Sequence, residues 1–332
     1  MNSPIRIGII GAGVMGRGHA EFLRDFVPAA RVTALSDVDS ERVSALAADI
    51  EASSGAIKTF DNPGALIDSG LVDALIIASP DSLHVEHLRL ALAANLPILC
   101  EKPIATTLAD AKAIAAEVKE VENKLNRRLV HFGFMRRFDA AYKEVKEKIE
   151  SGQYGRVLFV RTTTRNVATP GITTEGLYTN IAVHDFDIWR WMLADEWQSV
   201  VSHYPRPSTL SPEGLIDPLV FVAKMNTGVL VVADVVAYNN YGYDLRTEVV
   251  FEKGSVEIGI FGDVHTRADF TAEAVIGGPM VQNWIPRSRD AYIAELQAWV
   301  TAVSTGVAHP DLATVDDALA ATAACFLALE SM

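Results

Sequence analysis

Short apolar runs alternate with amphipathic stretches along the first part of this chain. Ile5–Ile10, Arg31–Ser36, Ala74–Ser79 and Pro97–Cys100 are rich in Ile, Val, Leu and Ala, the form expected of parallel strands buried on both faces. Between them lie stretches with helical spacing: from the Gly-rich turn after Ile10 to about Phe26, over Ser40–Glu51, and over Asp81–Ala94. Thr107-Leu-Ala-Asp110 has the form of a capping box with Asp in the acid position, and opens a further helix reaching about Asn123. Repeated strand–helix units predict a doubly wound parallel sheet.

The pattern changes near Asn126. Beyond it the strand-like segments are Leu129–Gly133, Arg156–Thr163, Leu219–Met225, Val229–Ala237 and Arg246–Phe251. Turns such as Asn226-Thr-Gly228 and Glu252-Lys-Gly254 join the later ones and favour antiparallel pairing. Helices are predicted over Asn180–Leu193, Arg289–Thr305 and Thr314–Leu329; the last is mostly Ala and Leu, so it must pack against something. The expected fold is therefore α/β. It has an N-terminal Rossmann-type domain over 1–125 and an α+β domain with a large, mostly antiparallel open sheet over 126–332, whose last helix can pack back on the first domain.

Composition agrees with two globular domains: 332 residues, 49% hydrophobic and 21% charged. The formal charge of −13 repels nucleic acid and anionic membrane surfaces. Leu71–Ser79 and Val229–Ala237 are interrupted by Asp73 and Asp234 and fall far short of the ~20 residues of a membrane span. The first apolar run leads into a Gly-rich turn and not a small-residue cleavage site, so it reads as a buried strand and not a signal peptide. Cys100 and Cys325 are the only cysteines, which excludes a disulfide framework or a Cys-rich metal site and points to a reduced, cytoplasmic setting.

The candidate chemistry sits at strand ends. Gly11-Ala12-Gly13-Val14-Met15-Gly16 follows a buried strand and opens a helix. In that place Gly11 permits the tight turn, Gly13 lets the backbone approach a pyrophosphate, and Gly16 allows close helix–strand contact. Asp37 ends the next strand, suited to accept hydrogen bonds from an adenosine ribose and to repel a 2′-phosphate, which favours NAD over NADP. Ser79-Pro80 and His84 lie at the carboxyl end of another strand, where open α/β sheets bind ligands; His84 taken alone would equally be an ordinary helix-start residue. Glu101-Lys102-Pro103 ends the strand after it, and a desolvated lysine there could exchange a proton with a substrate hydroxyl. Asn180 and His184, four apart, share a helix face beside apolar surface. Asp185 and Asp187 lack companion ligands, so they read as structural, and no metal is expected.

In combination these residues resemble the Gfo/Idh/MocA oxidoreductases over nearly the whole chain, and within them the inositol 2-dehydrogenases. Gly133-Phe-Met-Arg136-Arg137-Phe-Asp139 resembles the substrate-loop motif of those enzymes, and Tyr241-Gly242-Tyr243-Asp244 with Glu248 and Glu252-Lys-Gly254 their later sheet. Arg289 to Glu295 resembles their C-terminal helix, and His309-Pro310 with Asp316-Asp317-Ala318-Leu319 their closing segment.

The resemblance implies NAD bound across Gly11, Ala12, Gly13, Val14, Met15, Gly16 and Asp37, with Ser79, Pro80, His84, Glu101 and Lys102 toward the nicotinamide. It implies Lys102 hydrogen-bonded to the reacting hydroxyl, His184 as its acid/base, and Asn180, Met135, Arg136, Asn166, Tyr241, Trp284 and Tyr292 as pocket walls. It also implies a homo-oligomer, dimer or tetramer, formed through the second-domain sheet. Where the inositol enzymes carry Asp four residues before the histidine, this chain has Asn180, an amide that holds no negative charge and takes no proton. That leaves scyllo-inositol or a pyranose hexose open beside myo-inositol. The rival readings are a redox-neutral NAD-dependent glycosidase and a non-catalytic NAD-binding regulator of the same fold. A biliverdin-reductase-like activity is disfavoured by the polar set of Arg136, Asn180 and His184.

Overall fold

A computed structural model describes residues 3–259, 268–269, 274–275 and 281–331. The chain divides into two units, Met1–Phe138 with Asp290–Thr322, and Asp139–Arg289 with Ala323–Met332.

The first unit opens with β1 (Ile5–Ile10), α1 (Val14–Phe26), β2 (Ala30–Ser36), α2 (Ser40–Ser54), β3 (Lys58–Phe60) and α3 (Pro63–Asp68). It continues with β4 (Ala74–Ile77), a short 3-10 turn, α4 (His84–Ala93), β5 (Ile98–Glu101), α5 (Leu108–Leu125) and β6 (Val130–Gly133). All six strands are parallel, in the order β3-β2-β1-β4-β5-β6. The strand order reverses between β1 and β4, and ligands bind at the carboxyl edge of such a reversal. Every residue of β4 is shielded from solvent, which is why the strand reads as a continuous apolar run. Helix starts follow their caps: the Asp39 side chain accepts from the Arg42 amide, and Thr107 Oγ1 accepts from Asp110 N at 3.1 Å.

One expectation is corrected here. Leu129–Gly133 is not the opening strand of the second half: β6 pairs in parallel with β5 and completes the first sheet. A boundary after residue 125 cuts this strand from its partner. The change in pattern near Asn126 marks the end of α5, where Asn126 takes a left-handed conformation, and not the end of the sheet.

The second unit contains α6 (Ala140–Ser151), β7 (Val157–Arg165), α7 (Thr174–Gly176), α8 (Val183–Leu193), β8 (Trp197–His203), β9 (Leu219–Met225), β10 (Leu230–Val236), β11 (Asp244–Phe251) and β12 (Gly254–Ile258). The sheet order is β12-β11-β7-β10-β9-β8, antiparallel throughout except for the β7–β10 pair. Alternate residues face a core with α6 and α8: Val160, Val231, Leu245 and Val249 meet Tyr142, Ile188, Trp189 and Met192. The opposite face keeps apolar residues exposed, Val201 at 47%, Leu230 at 40% and Val232 at 37%. The elements α6, β8 and β12 were not foreseen. Two further helices close the chain, α9 (Trp284–Thr305) and α10 (Val315–Glu330).

The helix expected over Asn180–Leu193 is in two parts. Leu177–Ala182 is a π-helical segment, and the α-helix proper starts at Val183. Periodicity did not reveal this, because π turns are rare and lack a pattern distinct from that of an α-helix.

Candidate active site

The Gly-rich turn links β1 to α1. A Cβ on Gly11, whose φ is +102°, would lie 2.4 Å from the Ala78 carbonyl oxygen, and one on Gly16 would lie 1.8 Å from the carbonyl oxygen of Gly11. Both approaches are to backbone that cannot give way, so side chains are excluded there. Around Gly13 the case is reversed, with no atom within 4 Å of where a Cβ would stand. Gly13 caps α1 without a side-chain hydrogen bond, and the first turn carries no acid. Open space in front of uncapped amides is the form of an anion cradle.

Asp37 is tied into this turn. Its Oδ2 accepts from the Ala12 amide at 2.7 Å and its Oδ1 from the Asp39 amide at 2.9 Å. Two bonds leave acceptor capacity on the carboxylate for ribose hydroxyls. The residues of the turn and Asp37 thus suit a dinucleotide, with pyrophosphate at the turn and ribose at the acid.

The next two strand ends are joined by histidines. His84 is fully buried; its Nδ1 lies 2.7 Å from the Pro103 carbonyl and its Nε2 2.9 Å from the Ser79 carbonyl. One turn on, His87 Nδ1 meets Ser79 Oγ at 2.9 Å. Burial holds His87 below the ordinary imidazole range, against the opposing charge of Glu86. Glu101 ends β5, 6% exposed, and pairs with His19 Nε2 of α1 at 2.7 Å. Burial by itself would raise the Glu101 carboxyl, but the His19 hydrogen bond and the charges of His19, Lys102 and His84 more than offset it, and it lies below the usual range. The turn after Ile10, Asp37, Ser79, Pro80, Glu101 and Lys102 therefore share the carboxyl edge of the parallel sheet.

The other expected residues of this unit are packed in. Met135 and Arg136 lie buried in a 3-10 turn after β6. Tyr292 of α9 stacks on Phe22 and meets His19 edge-on, ring centroids 6.1 and 6.0 Å apart. Arg137 Nη1 lies 3.4 Å from Asp317, whose Oδ2 also accepts from the Thr314 amide at 2.8 Å.

In the second unit Asn180 stands in the π-helical segment and His184 in the first turn of α8, both half-buried among buried neighbours. The segment is anchored on the sheet: Thr164 Oγ1 donates to both Asp185 oxygens, at 3.0 and 3.1 Å. Among the described residues no three His, Cys, Asp or Glu come together as a group that could hold a metal ion. Asn166 joins β10 through its amide, which donates to the Val236 carbonyl at 2.8 Å.

Tyr241 is placed differently from the others. Its hydroxyl accepts from Arg165 Nη1 at 3.0 Å and donates to Asp244 Oδ2 at 2.9 Å, while Arg165 Nε donates to Asp234 at 2.6 Å. Burial and the Asp244 charge raise the phenol above its ordinary value against the opposing Arg165 hydrogen bond. Arg165 alternates with Thr164, so this network lies on the sheet face away from α8. Trp284 packs against the apolar core of its unit. His19 and His87 escaped the sequence reading; the three-residue spacing of His84 and His87 on one helix was the available signal.

A parallel sheet in the dinucleotide-binding order, a turn closed to side chains at Gly11 and Gly16, and an acid bonded to that turn define a dinucleotide-binding domain of the Rossmann kind. Residues 5–127 match the Gfo/Idh/MocA family model, described as an oxidoreductase family with an NAD-binding Rossmann fold, and residues 142–257 match the C-terminal domain model of that family. Inositol 2-dehydrogenase 2 of Saccharopolyspora erythraea is 39% identical over 305 residues, 91% of this chain and 86% of that protein. Inositol 2-dehydrogenase of Streptomyces avermitilis is 37% identical over 310 residues, 92% and 86% respectively. Myo-inositol dehydrogenase from Lactobacillus casei, solved with NAD(H) and myo-inositol, superposes with a TM-score of 0.88 at 28% identity, over 99% of this chain and 94% of that one. The chain belongs to the Gfo/Idh/MocA family and is an NAD-dependent oxidoreductase of the inositol-dehydrogenase type.

Proposed function

We propose that this protein oxidises a secondary hydroxyl of a cyclic polyol or sugar, an inositol isomer such as scyllo- or myo-inositol or a pyranose hexose, to the ketone or lactone. The observation that carries this reading is the placing of Lys102 at the carboxyl edge of the sheet, one residue after the buried Glu101 and on the same edge as the Gly-rich turn and Asp37.

Bound NAD supplies the acceptor for the hydride that leaves the carbinol carbon. Gly11 to Gly16 cradle its pyrophosphate and Asp37 its adenosine ribose. Lys102 hydrogen-bonds the reacting hydroxyl and lowers the cost of charge on its oxygen. His184 takes the hydroxyl proton as general base and returns it when the reaction runs backward. Asn180 reads a neighbouring hydroxyl as donor and acceptor, a task its neutral amide performs without charge. The exposed apolar stripe of Val201, Leu230 and Val232 supports a homo-oligomer, dimer or tetramer, built through this sheet face. Cys100 and Cys325 are both buried and do not form a disulfide, which fits a cytoplasmic enzyme.

The test follows NADH absorbance with purified protein, NAD and a panel of inositols and aldoses, with NADP in parallel. A rise with one substrate class and its loss in Lys102→Ala is the expected result. Silence across the panel despite NAD binding would overturn it in favour of redox-neutral glycoside cleavage or a non-catalytic sensor.

A further inference from the structure

His84 stands between two loops. Its ring is closed off from solvent, and each nitrogen faces a backbone carbonyl, Pro103 at 2.7 Å and Ser79 at 2.9 Å. Carbonyl oxygens only accept, so a ring nitrogen that carries a proton donates to the carbonyl it faces, and a clamp on both loops uses a proton on each nitrogen. No ring nitrogen is left over to meet a cofactor. Instead the side chain spans the turn after β4 and the turn after β5, the one that carries Lys102.

We propose that His84 is a positioning residue for Lys102. It fixes the Pro103 carbonyl through Nδ1 and uses the Ser79 loop, held in turn by His87, as the anchor for Nε2. The side chain of Lys102 hangs from the peptide next to this carbonyl, so the height and direction of its ammonium depend on where that carbonyl is held. A reacting group displaced by about 1 Å loses on the order of 10²-fold in rate. Such an effect falls on the chemical step. The adenosine end of the cofactor site, built on Asp37 and the Gly-rich turn, is left alone.

Two near-isosteric variants separate the contacts. His84→Asn keeps a donor at the place of Nδ1, facing Pro103; His84→Gln keeps one at the place of Nε2, facing Ser79. If Lys102 is positioned through Pro103, kcat falls about 10²-fold in His84→Gln, with the KM for NAD nearly unchanged, and His84→Asn recovers most of the loss. A merely space-filling role predicts the opposite order, because Gln is closer to His in volume; Gln equal to or better than Asn would overturn the proposal.

This inference rests on the polyol-dehydrogenase reading, so a second readout needs no substrate. Lysines are labelled by reductive methylation with carbon-13, the Lys102 signal is identified by its loss in Lys102→Ala, and its titration is followed in wild type and both variants. The expected result is a midpoint shared by wild type and His84→Asn and displaced in His84→Gln. One midpoint for all three sinks the positioning role whatever the substrate. A displaced midpoint with a wild type silent on every polyol overturns the substrate reading alone.

Discussion

The Asp37 carboxylate accepts the Ala12 amide at 2.7 Å, binding the end of β2 to the Gly-rich turn between β1 and α1. In the proposed function the same side chain shapes the pyrophosphate cradle and presents oxygens to the ribose.

Asp37→Ser removes both functions. The Ala12 amide loses a charged acceptor, worth about 1.5–3 kcal/mol, so NAD affinity should fall by about tenfold or more. NADP, no longer repelled, should fall less or rise. Calorimetric titration with both cofactors checks this, and an unchanged NAD to NADP ratio would contradict the role given to Asp37.

Lys102→Ala should lower kcat by about 10²–10³-fold, the range for a lost hydrogen-bond donor to the reacting oxygen, while NADH binding followed by fluorescence persists. Joint loss of binding and turnover would instead make Lys102 a cofactor anchor.

Asn180→Asp restores a carboxylate four residues before His184. The expected outcome is a shift of substrate preference toward myo-inositol, measured as the ratio of kcat/KM values for myo- and scyllo-inositol. An unmoved ratio would show that this position does not select the sugar.

Asp317 carries part of the acid stability of the first unit. Burial would raise its carboxyl, but the charge of Arg137 and the Thr314 amide hold it down at about 2, against an ordinary 3.8. A lowered folded value contributes stability that is present above pH 3.8 and lost as the pH falls through 2. The shift corresponds to about 2 kcal/mol. Asp317→Asn should therefore lose stability of that order at pH 7 in urea unfolding, and the gap to wild type should close near pH 2. A gap independent of pH would mean that Asp317 acts through packing or capping alone.

Val232→Glu places a charge in the exposed apolar stripe of the second sheet. If this face joins copies of the chain, light scattering should show a homo-oligomer for wild type and a smaller species for the variant. A wild-type monomer would remove the interface.

Much of this was legible in one sequence. Five of the six strands of the first sheet are local apolar runs or lie next to one, and four were readable with their helices because parallel strands buried on both faces need no partner to be recognised. The glycine turn, Asp37 and Lys102 were readable for a similar reason: each sits at the end of an element whose type local pattern already specifies. Lys58–Phe60 was missed because three residues are too few for a period to show.

What the tertiary structure decided depends on partners distant in the chain. Which sheet Val130–Gly133 joins is a question of pairing with β5, and a strand carries no mark of its neighbour. The π-helical segment under Asn180 is a matter of one extra residue per turn, which apolar spacing leaves unresolved. The ring of His84 reads in sequence as a ligand or a helix start. Only the folded chain, which brings the Ser79 and Pro103 carbonyls to its two nitrogens, makes it a clamp, because a buried imidazole takes its role from whatever acceptors the fold sets around it.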